Sequence, residues 1–310
     1  MANKDYAIHP DFAKFPVLHF SFNGIWLKIV NQILSIERRV RAKRLLKQAA
    51  FHSVNLPSGR KINIYEFKGA PSSHKSPAVM YYHGGAFAIT YASFHVMAAD
   101  IYAKRAGCSV FLVDYGLLPT SPFPDGFNDC YEALVWVESH AEGLSIDKKK
   151  IAVMGDSCGG ALSACVAQKA LDENGPQLCG QALIYPVTDR HCRTETAKKY
   201  VDVPIWNSHS NRKMWFHYLK RFKGGKTPLY AAPMDRKNLS NLPRAYIETA
   251  QFDPLCEEGA LYAKALEQDG VLVEKNETKG TIHGFDFHLS SLVTQKALSR
   301  RCAFLKKIFH

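Results

Sequence analysis

Long apolar runs are missing from this chain. Nothing in its 310 residues approaches the ~18 consecutive apolar positions that a membrane-spanning helix requires, so stable membrane insertion is not expected. The N-terminus carries Lys4 and Asp5, and neither an uninterrupted apolar stretch nor a small-residue cleavage site follows. That start does not read as a secretory signal, and a cytoplasmic location is expected. Internal repeats and low-complexity tracts are absent too. The cysteines Cys108, Cys130, Cys158, Cys165, Cys179, Cys192, Cys256 and Cys302 are scattered, with no CxxC pair and no His-flanked metal spacing. A disulfide framework and a cysteine-held metal are therefore not expected, and a reducing compartment is. Acidic residues are in short supply, 28 against 40 Lys and Arg, for a net charge of +12. No nucleic-acid motif accompanies the excess, so it reads as a solvated basic surface with no nucleic-acid partner. Its densest cluster is Arg38, Arg39, Arg41, Lys43, Arg44 and Lys47, alternating with Val40, Leu45 and Leu46 as on one amphipathic helix.

What remains is the composition of a globular protein, 46% hydrophobic and 22% charged. A chain this long buries a core without covalent staples. Residues 1 to about 50 look helical and partly apolar. Residues 52 to 68 read as a hairpin around Pro57-Ser58-Gly59. Short β-branched or apolar runs follow at 78–82, 109–115, 151–154, 181–185, 245–249 and 271–275. Helical spacing separates many of them, at 93–106, 127–140, 160–172, 256–269 and 290–308. Strands alternating with helices imply an α/β fold with a mostly parallel central sheet and helices on both faces. An aromatic-rich insert at 196–225, with Tyr200, Trp206, Trp215, Phe216, Tyr218 and Phe222, breaks the alternation.

The sharpest chemical signal is Gly155-Asp156-Ser157-Cys158-Gly159, a G-x-S-x-G pentapeptide between a strand and a helix. Such an elbow presents a serine at a helix N-terminus, where backbone N–H groups favour developing negative charge. The bland reading of Ser157 is a helix N-cap. A serine hydroxyl needs a base. Among thirteen histidines, His283 before Gly284-Phe285 sits downstream of the last strand, in the chain order Ser, acid, His. Asp253, in Phe252-Asp253-Pro254-Leu255, follows a strand where α/β active sites collect, although an aspartate before proline also initiates turns. Asp156 abuts the nucleophile but points away from it in a tight elbow, and reads as a holder of local backbone. An anionic tetrahedral intermediate needs aimed N–H donors. His83-Gly84-Gly85-Ala86-Phe87, directly after a strand, supplies the amides of Gly85 and Ala86 to act with that of Cys158. His83 reads as a loop-stabilising residue, and Glu257 and Glu258 as structural carboxylates.

With these motifs in order, the chain resembles the hormone-sensitive-lipase-like branch of the α/β-hydrolases, which includes bacterial esterases and arylacetamide deacetylases. The HGGG loop of that family resembles residues 83–86, its GDSAG elbow 155–159, and its DPL and HGF signatures 253–255 and 283–285. The likeness spans roughly residue 50 to the C-terminus. It implies an α/β-hydrolase domain at 51–195 and 226–310, under a cap built from residues 1–50 and the insertion 196–225. It also implies short-chain acyl esters as substrates, no cofactor, and the possibility of a homodimer. Three departures stand out: Ala86 for the third glycine, Cys158 for alanine, and Tyr115-Gly116-Leu117-Leu118-Pro119-Thr120 for Tyr-Arg-Leu-Ala-Pro-Glu. Ester hydrolysis is the expected reaction. Amide hydrolysis by the same residues is the near alternative. A silent binding protein, like plant hormone receptors of this branch, is the distant one, because those lose the histidine that His283 retains here.

Overall fold

The computed structural model describes residues 6–70, 74–222 and 227–310. The first five residues of the expected N-terminal segment, residues 223–225 of the expected insertion and residue 226 lie outside the described set. In chain order the elements are α1 (Pro10–Ala13), α2 (Gly24–Arg41), α3 (Lys43–Gln48), β1 (Ala50–Asn55), β2 (Lys61–Lys68), β3 (Ser76–Tyr82), α4 (Ser93–Ala106) and β4 (Ser109–Asp114). They continue with α5 (Asp125–Ser139), β5 (Ile146–Asp156), α6 (Cys158–Asp172), β6 (Leu178–Ile184), α7 (Glu195–Lys199) and α8 (Ser208–Tyr218). The chain ends with β7 (Ala245–Phe252), α9 (Cys256–Gln268), β8 (Val273–Ile282) and α10 (Leu292–Phe309). The eight strands form one sheet in the order β1-β2-β4-β3-β5-β6-β7-β8. β1 pairs antiparallel with β2, and β2 with β4. Every pairing from β4 to β8 is parallel. This is the α/β-hydrolase fold.

Alternation of side chains along each central strand divides the core into two layers. Ala78, Met80 and Tyr82 of β3 join Ile151 and Val153 of β5 in a cluster with Phe127 and Leu134 of α5 and Leu162 and Val166 of α6. Val79 and Tyr81 join Ala152 and Met154 in a second cluster with Val96 and Tyr102 of α4 and Leu298 and Leu305 of α10. Both faces being covered, these strands have almost no polar side, which is why they read as continuous apolar runs.

Four expectations need correction. The single amphipathic helix expected at 38–47 is broken at Ala42 into the end of α2 and α3. Residues 14–23 contain no helix; Pro16 and the run of bulky aromatics leave an extended stretch that lays Phe20 against Trp26 and Trp206, with ring centroids 6.0 and 5.3 Å apart. β5 starts at Ile146, five residues before the apolar run, because Asp147, Lys148 and Lys149 are a solvated first half that carries no hydrophobic signal. β8 likewise runs on to Ile282, beyond the expected end at 275, through a polar, alternately exposed stretch.

The densest electrostatic knot ties α10 to the strand ends. Arg301 is fully buried. Its Nη2 donates to Glu248 Oε1 at 2.6 Å and to Asp286 Oδ1 at 3.1 Å, and its Nε to Glu248 Oε2 at 3.1 Å. Nη1 donates to Asp286 Oδ2 at 2.6 Å and to the Tyr102 hydroxyl at 3.1 Å. Removing a cation that satisfies two buried carboxylates typically costs ~3–5 kcal/mol. Arg301→Met is therefore expected to lower unfolding free energy by that order in urea titrations monitored by circular dichroism. An unchanged midpoint would mean that Glu248 and Asp286 find other partners.

Among the described residues no helix is long and apolar enough to cross a membrane. All eight cysteines are free thiols.

Candidate active site

The topology decides where the chemistry collects. β3 leads through α4 to β4 on one side, and β4 returns through α5 to β5 on the other, so the winding reverses between β3 and β5. Crevices at such switch points, beyond the carboxyl ends of the strands, are where α/β sheets hold ligands. Tyr82 pairs with Gly155 at the last rungs of β3 and β5. The loop at 83–87 and the elbow at 155–159 therefore emerge side by side. Phe252 of β7 likewise pairs with Ile282 of β8, so Asp253 and His283 each begin one residue past the same rung.

Ser157 adopts φ 57° and ψ −123° immediately before α6. This region is sparsely populated for side-chain-bearing residues and costs ~1–3 kcal/mol. The backbone around it is pinned: its N–H donates to the Ile184 carbonyl at 2.8 Å, and its carbonyl accepts from Val187 at 3.1 Å. The flanking glycines are there for space. A Cβ on Gly159 would collide with the Tyr82 carbonyl oxygen, and one on Gly155 with the carbonyl of Gly159.

The three side chains singled out from the sequence lie in one row. His283 Nε2 is 2.8 Å from Ser157 Oγ, and its Nδ1 is 2.7 Å from Asp253 Oδ2. Asp253 has no exposed surface, while Ser157 and His283 keep 7% and 6%. The other Asp253 oxygen accepts from the Leu255 amide at 2.9 Å, which fixes the carboxylate plane. The His283 ring has Tyr185 edge-on at 5.0 Å and Trp206 at 5.9 Å between centroids.

The loop after β3 curls with three consecutive positive φ values, 122° at Gly85, 56° at Ala86 and 55° at Phe87. Glycine is required at the first; a Cβ there would meet the Ile89 carbonyl. The amides of Gly85 and Cys158 engage no other described residue. The Cys158 thiol accepts from the Phe87 amide at 3.2 Å, so it holds the loop from the first residue of α6. Burial pushes this thiol up to about 12, which keeps it protonated beside the serine. His83 is stacked on Tyr115 at 4.5 Å with Nδ1 2.6 Å from the Gly84 carbonyl. Burial, aided by His95, pushes His83 down to about 3; it is a neutral support for the loop. The Asp156 carboxylate is taken by the Tyr81 hydroxyl at 3.0 Å and His95 Nε2 at 3.3 Å. Burial works to raise this carboxyl, but His95 and Tyr81 bring it below the ordinary carboxylate value. Glu258 accepts from the amides of Thr188 and Asp189 at 2.7 and 3.2 Å and holds the loop after β6; Glu257 accepts from that of Thr196 at 3.2 Å and holds the first residue of the insertion.

A cavity of about 350 Å³ opens on Ser157 and His283. Its walls are mostly apolar: Val30 and Leu34 of α2, Phe20, Ile205, Trp206 and Phe287. The two segments flanking it are bonded to each other, Ile205 N–H to the Pro16 carbonyl at 3.0 Å and Asn207 Nδ2 to the Leu18 carbonyl at 2.7 Å. Sequence reasoning did not single out Arg301 and Asp286, which anchor the His283 loop from behind. An arginine in an amphipathic helix gives no sign of facing inward. Among the described residues no group of His, Cys, Asp and Glu is placed to hold a metal.

Comparison with known proteins shows the family of this fold. Residues 79–287 match the model of a family described by its alpha/beta hydrolase fold. Carboxylesterase NlhH of Mycobacterium tuberculosis is 37% identical over 242 residues, 76% of this chain and 74% of that one. An arylesterase of Saccharolobus solfataricus is 33% identical, with 67% of each chain covered. The crystal structure of esterase LipW from Mycobacterium marinum superposes with a TM-score of 0.89 at 27% identity, covering 98% of this chain and 96% of the other. The chain belongs to the α/β-hydrolase fold family, on its hormone-sensitive-lipase-like branch. Its class is that of the carboxylic ester hydrolases.

Proposed function

We propose that this hydrolase is a serine carboxylesterase for short-chain acyl esters, with Ser157 as nucleophile, His283 as general base and acid, and Asp253 as the carboxylate that orients the imidazole. The observation that carries the reading is the unbroken row Asp253–His283–Ser157 at the floor of an apolar cavity. His283 Nε2 takes the hydroxyl proton as Ser157 Oγ attacks the ester carbonyl. The oxyanion is met by the amides of Gly85 and Cys158, with Ala86 as the third donor. The imidazolium then protonates the departing alcohol. A water, deprotonated by the same imidazole, attacks the acyl-enzyme and releases the acid. Neither step calls for a cofactor.

The N-terminal segment to about residue 50 and the insertion 196–225 form the cap over the 51–195 and 226–310 catalytic domain in this reading. Their mutual hydrogen bonds, and the presence of Val30, Leu34, Ile205 and Trp206 in the cavity wall, support it. A cavity of about 350 Å³ lies near the small end of the ~300–1,000 Å³ range for ligand sites. The p-nitrophenyl esters of acetate, butyrate and decanoate give the test. Acetate and butyrate are expected to turn over at least ~10-fold faster in kcat/KM than decanoate, the cost of accommodating an over-long chain in a small pocket. Equal or faster decanoate hydrolysis would remove the short-chain assignment. An amidase would use the same row, and comparing p-nitrophenyl butyrate with butyryl p-nitroanilide separates the two reactions.

A further inference from the structure

Helix α2 leaves a second apolar face in water. A surface helix normally turns its apolar stripe to the core and its charges to water. Here Ile25, Ile29, Ile33, Ile36 and Val40 are between 53% and 74% exposed. At 100° per residue these five positions fall within a quarter of the helix circumference, a single ridge of branched aliphatic side chains in solvent. On the inward side Leu27 is buried, Trp26 packs on the core, and Val30 and Leu34 face the cavity; polar bonds hold that side as well. Asn31 Nδ2 donates to the Ala88 carbonyl at 2.9 Å, and its Oδ1 accepts from Thr90 at 2.9 Å. Arg38 lies over the Tyr91 ring at 3.7 Å and donates to the Tyr91 carbonyl. Glu37 accepts from the Ser93 amide at 3.1 Å. Those bonds fix the rotation of the helix, so the isoleucine ridge cannot roll inward without breaking them.

We propose that this ridge is a docking surface for an anionic phospholipid membrane, on which α2 lies flat with its isoleucines in the acyl boundary. Charge decides the occupant. Residues 24–48 carry seven Lys and Arg against one acidic residue, Glu37. Lys28, Arg39, Arg41, Lys43, Arg44 and Lys47 are exposed beside the ridge or beyond its C-terminal end. A second copy of the chain laid on the same face would offer these cations no acidic group from its own α2 except Glu37, which is already held by the Ser93 amide. Anionic headgroups neutralise them instead, and a helix with an apolar ridge flanked by Lys and Arg is the pattern that settles in a membrane interface. The docked helix is also a wall of the cavity, through Val30 and Leu34. Docking therefore sets the cavity beside a phase in which apolar esters dissolve; this consequence, unlike the docking, rests on the esterase reading.

Sedimentation of the full chain with phosphatidylcholine vesicles, with and without phosphatidylserine, is the experiment. Partitioning is expected to be at least ~10-fold stronger with phosphatidylserine and to weaken as salt screens the basic cluster. Replacing Ile25, Ile29, Ile33 and Ile36 together by Ser is expected to reduce it at least ~10-fold. Arg39→Gln, Lys43→Gln and Arg44→Gln together are expected to abolish the preference for phosphatidylserine. None of these seven residues lines the cavity, so solution hydrolysis of p-nitrophenyl acetate by both variants should match the wild type, which controls for folding. Equal binding to both vesicle types, a serine variant that binds like the wild type, or a solution dimer that the serine variant dissociates would each overturn the proposal. A wild type that sediments with vesicles but hydrolyses no ester would sink the esterase reading and leave the docking standing.

Discussion

Ser157→Ala is expected to lower kcat on p-nitrophenyl butyrate by about 10⁵–10⁶-fold, the loss seen when a triad nucleophile is removed from an otherwise intact site. KM should change little. The Ser157 hydroxyl is held 2.8 Å from His283 Nε2, and no second nucleophile stands ready to take over. The neighbouring Cys158 thiol is kept protonated by burial and occupied by the Phe87 amide. A residual rate above water is expected, because the amides of Gly85 and Cys158 still meet the developing oxyanion. Relief of the φ 57° strain is not part of the change, since alanine at 157 must adopt the same backbone. Stability should therefore change little, and the effect should lie in chemistry alone. A variant retaining a tenth of wild-type kcat would place the nucleophile elsewhere.

Asp253→Asn should cost about 10⁴-fold in kcat, again with little effect on KM. The carboxylate accepts from His283 Nδ1 at 2.7 Å and from the Leu255 amide at 2.9 Å. Asparagine keeps the shape and can still accept from Leu255 with its oxygen. Its NH₂ group then faces Nδ1, which must become an acceptor, and the ring proton moves to Nε2. In that tautomer the imidazole cannot take the hydroxyl proton from Ser157. Raising the pH should not restore the rate, since the defect is in the tautomer and not in an ionisation. A drop of only a few-fold would mean that Asp253 merely initiates the turn before Pro254, and that another group orients the ring.

The candidate site was legible because each of its parts is local in sequence. G-x-S-x-G and the His83-Gly84-Gly85 loop are glycine patterns that a tight turn or a close backbone approach forces. Gly159 under the Tyr82 carbonyl and Gly85 at φ 122° are the physical reasons those letters are present. Asp253 and His283 follow strands whose apolar runs announce their own ends. The sheet was legible for a related reason, since strands buried on both faces have no polar side to blur them. What could not be read off was pairing at a distance. Arg301, Glu248 and Asp286 are three charged letters in three separate elements, and each would read as solvated on its own. The polar first half of β5 and the polar second half of β8 carry no apolar signal, so their hydrogen-bonded length was hidden. The basic, apolar character of residues 38–47 was visible, although not the break at Ala42 that splits them between α2 and α3. That α2 turns its isoleucines outward was not, because periodicity gives the existence of an apolar face and not its direction. Asn31, Glu37 and Arg38 set that direction through partners at 88–93, about fifty residues further along the chain.

The most direct test of the proposed mechanism is covalent labelling of the nucleophile with diethyl p-nitrophenyl phosphate. A serine activated by His283 attacks phosphorus, expels p-nitrophenolate and keeps a diethylphosphoryl group on Oγ that the enzyme hydrolyses slowly. Mass spectrometry of the intact protein and of its peptides is predicted to find one adduct per chain, on Ser157, matched by one equivalent of p-nitrophenolate and by complete loss of esterase activity. An adduct on any other residue, or an enzyme that stays active and unlabelled, would contradict it.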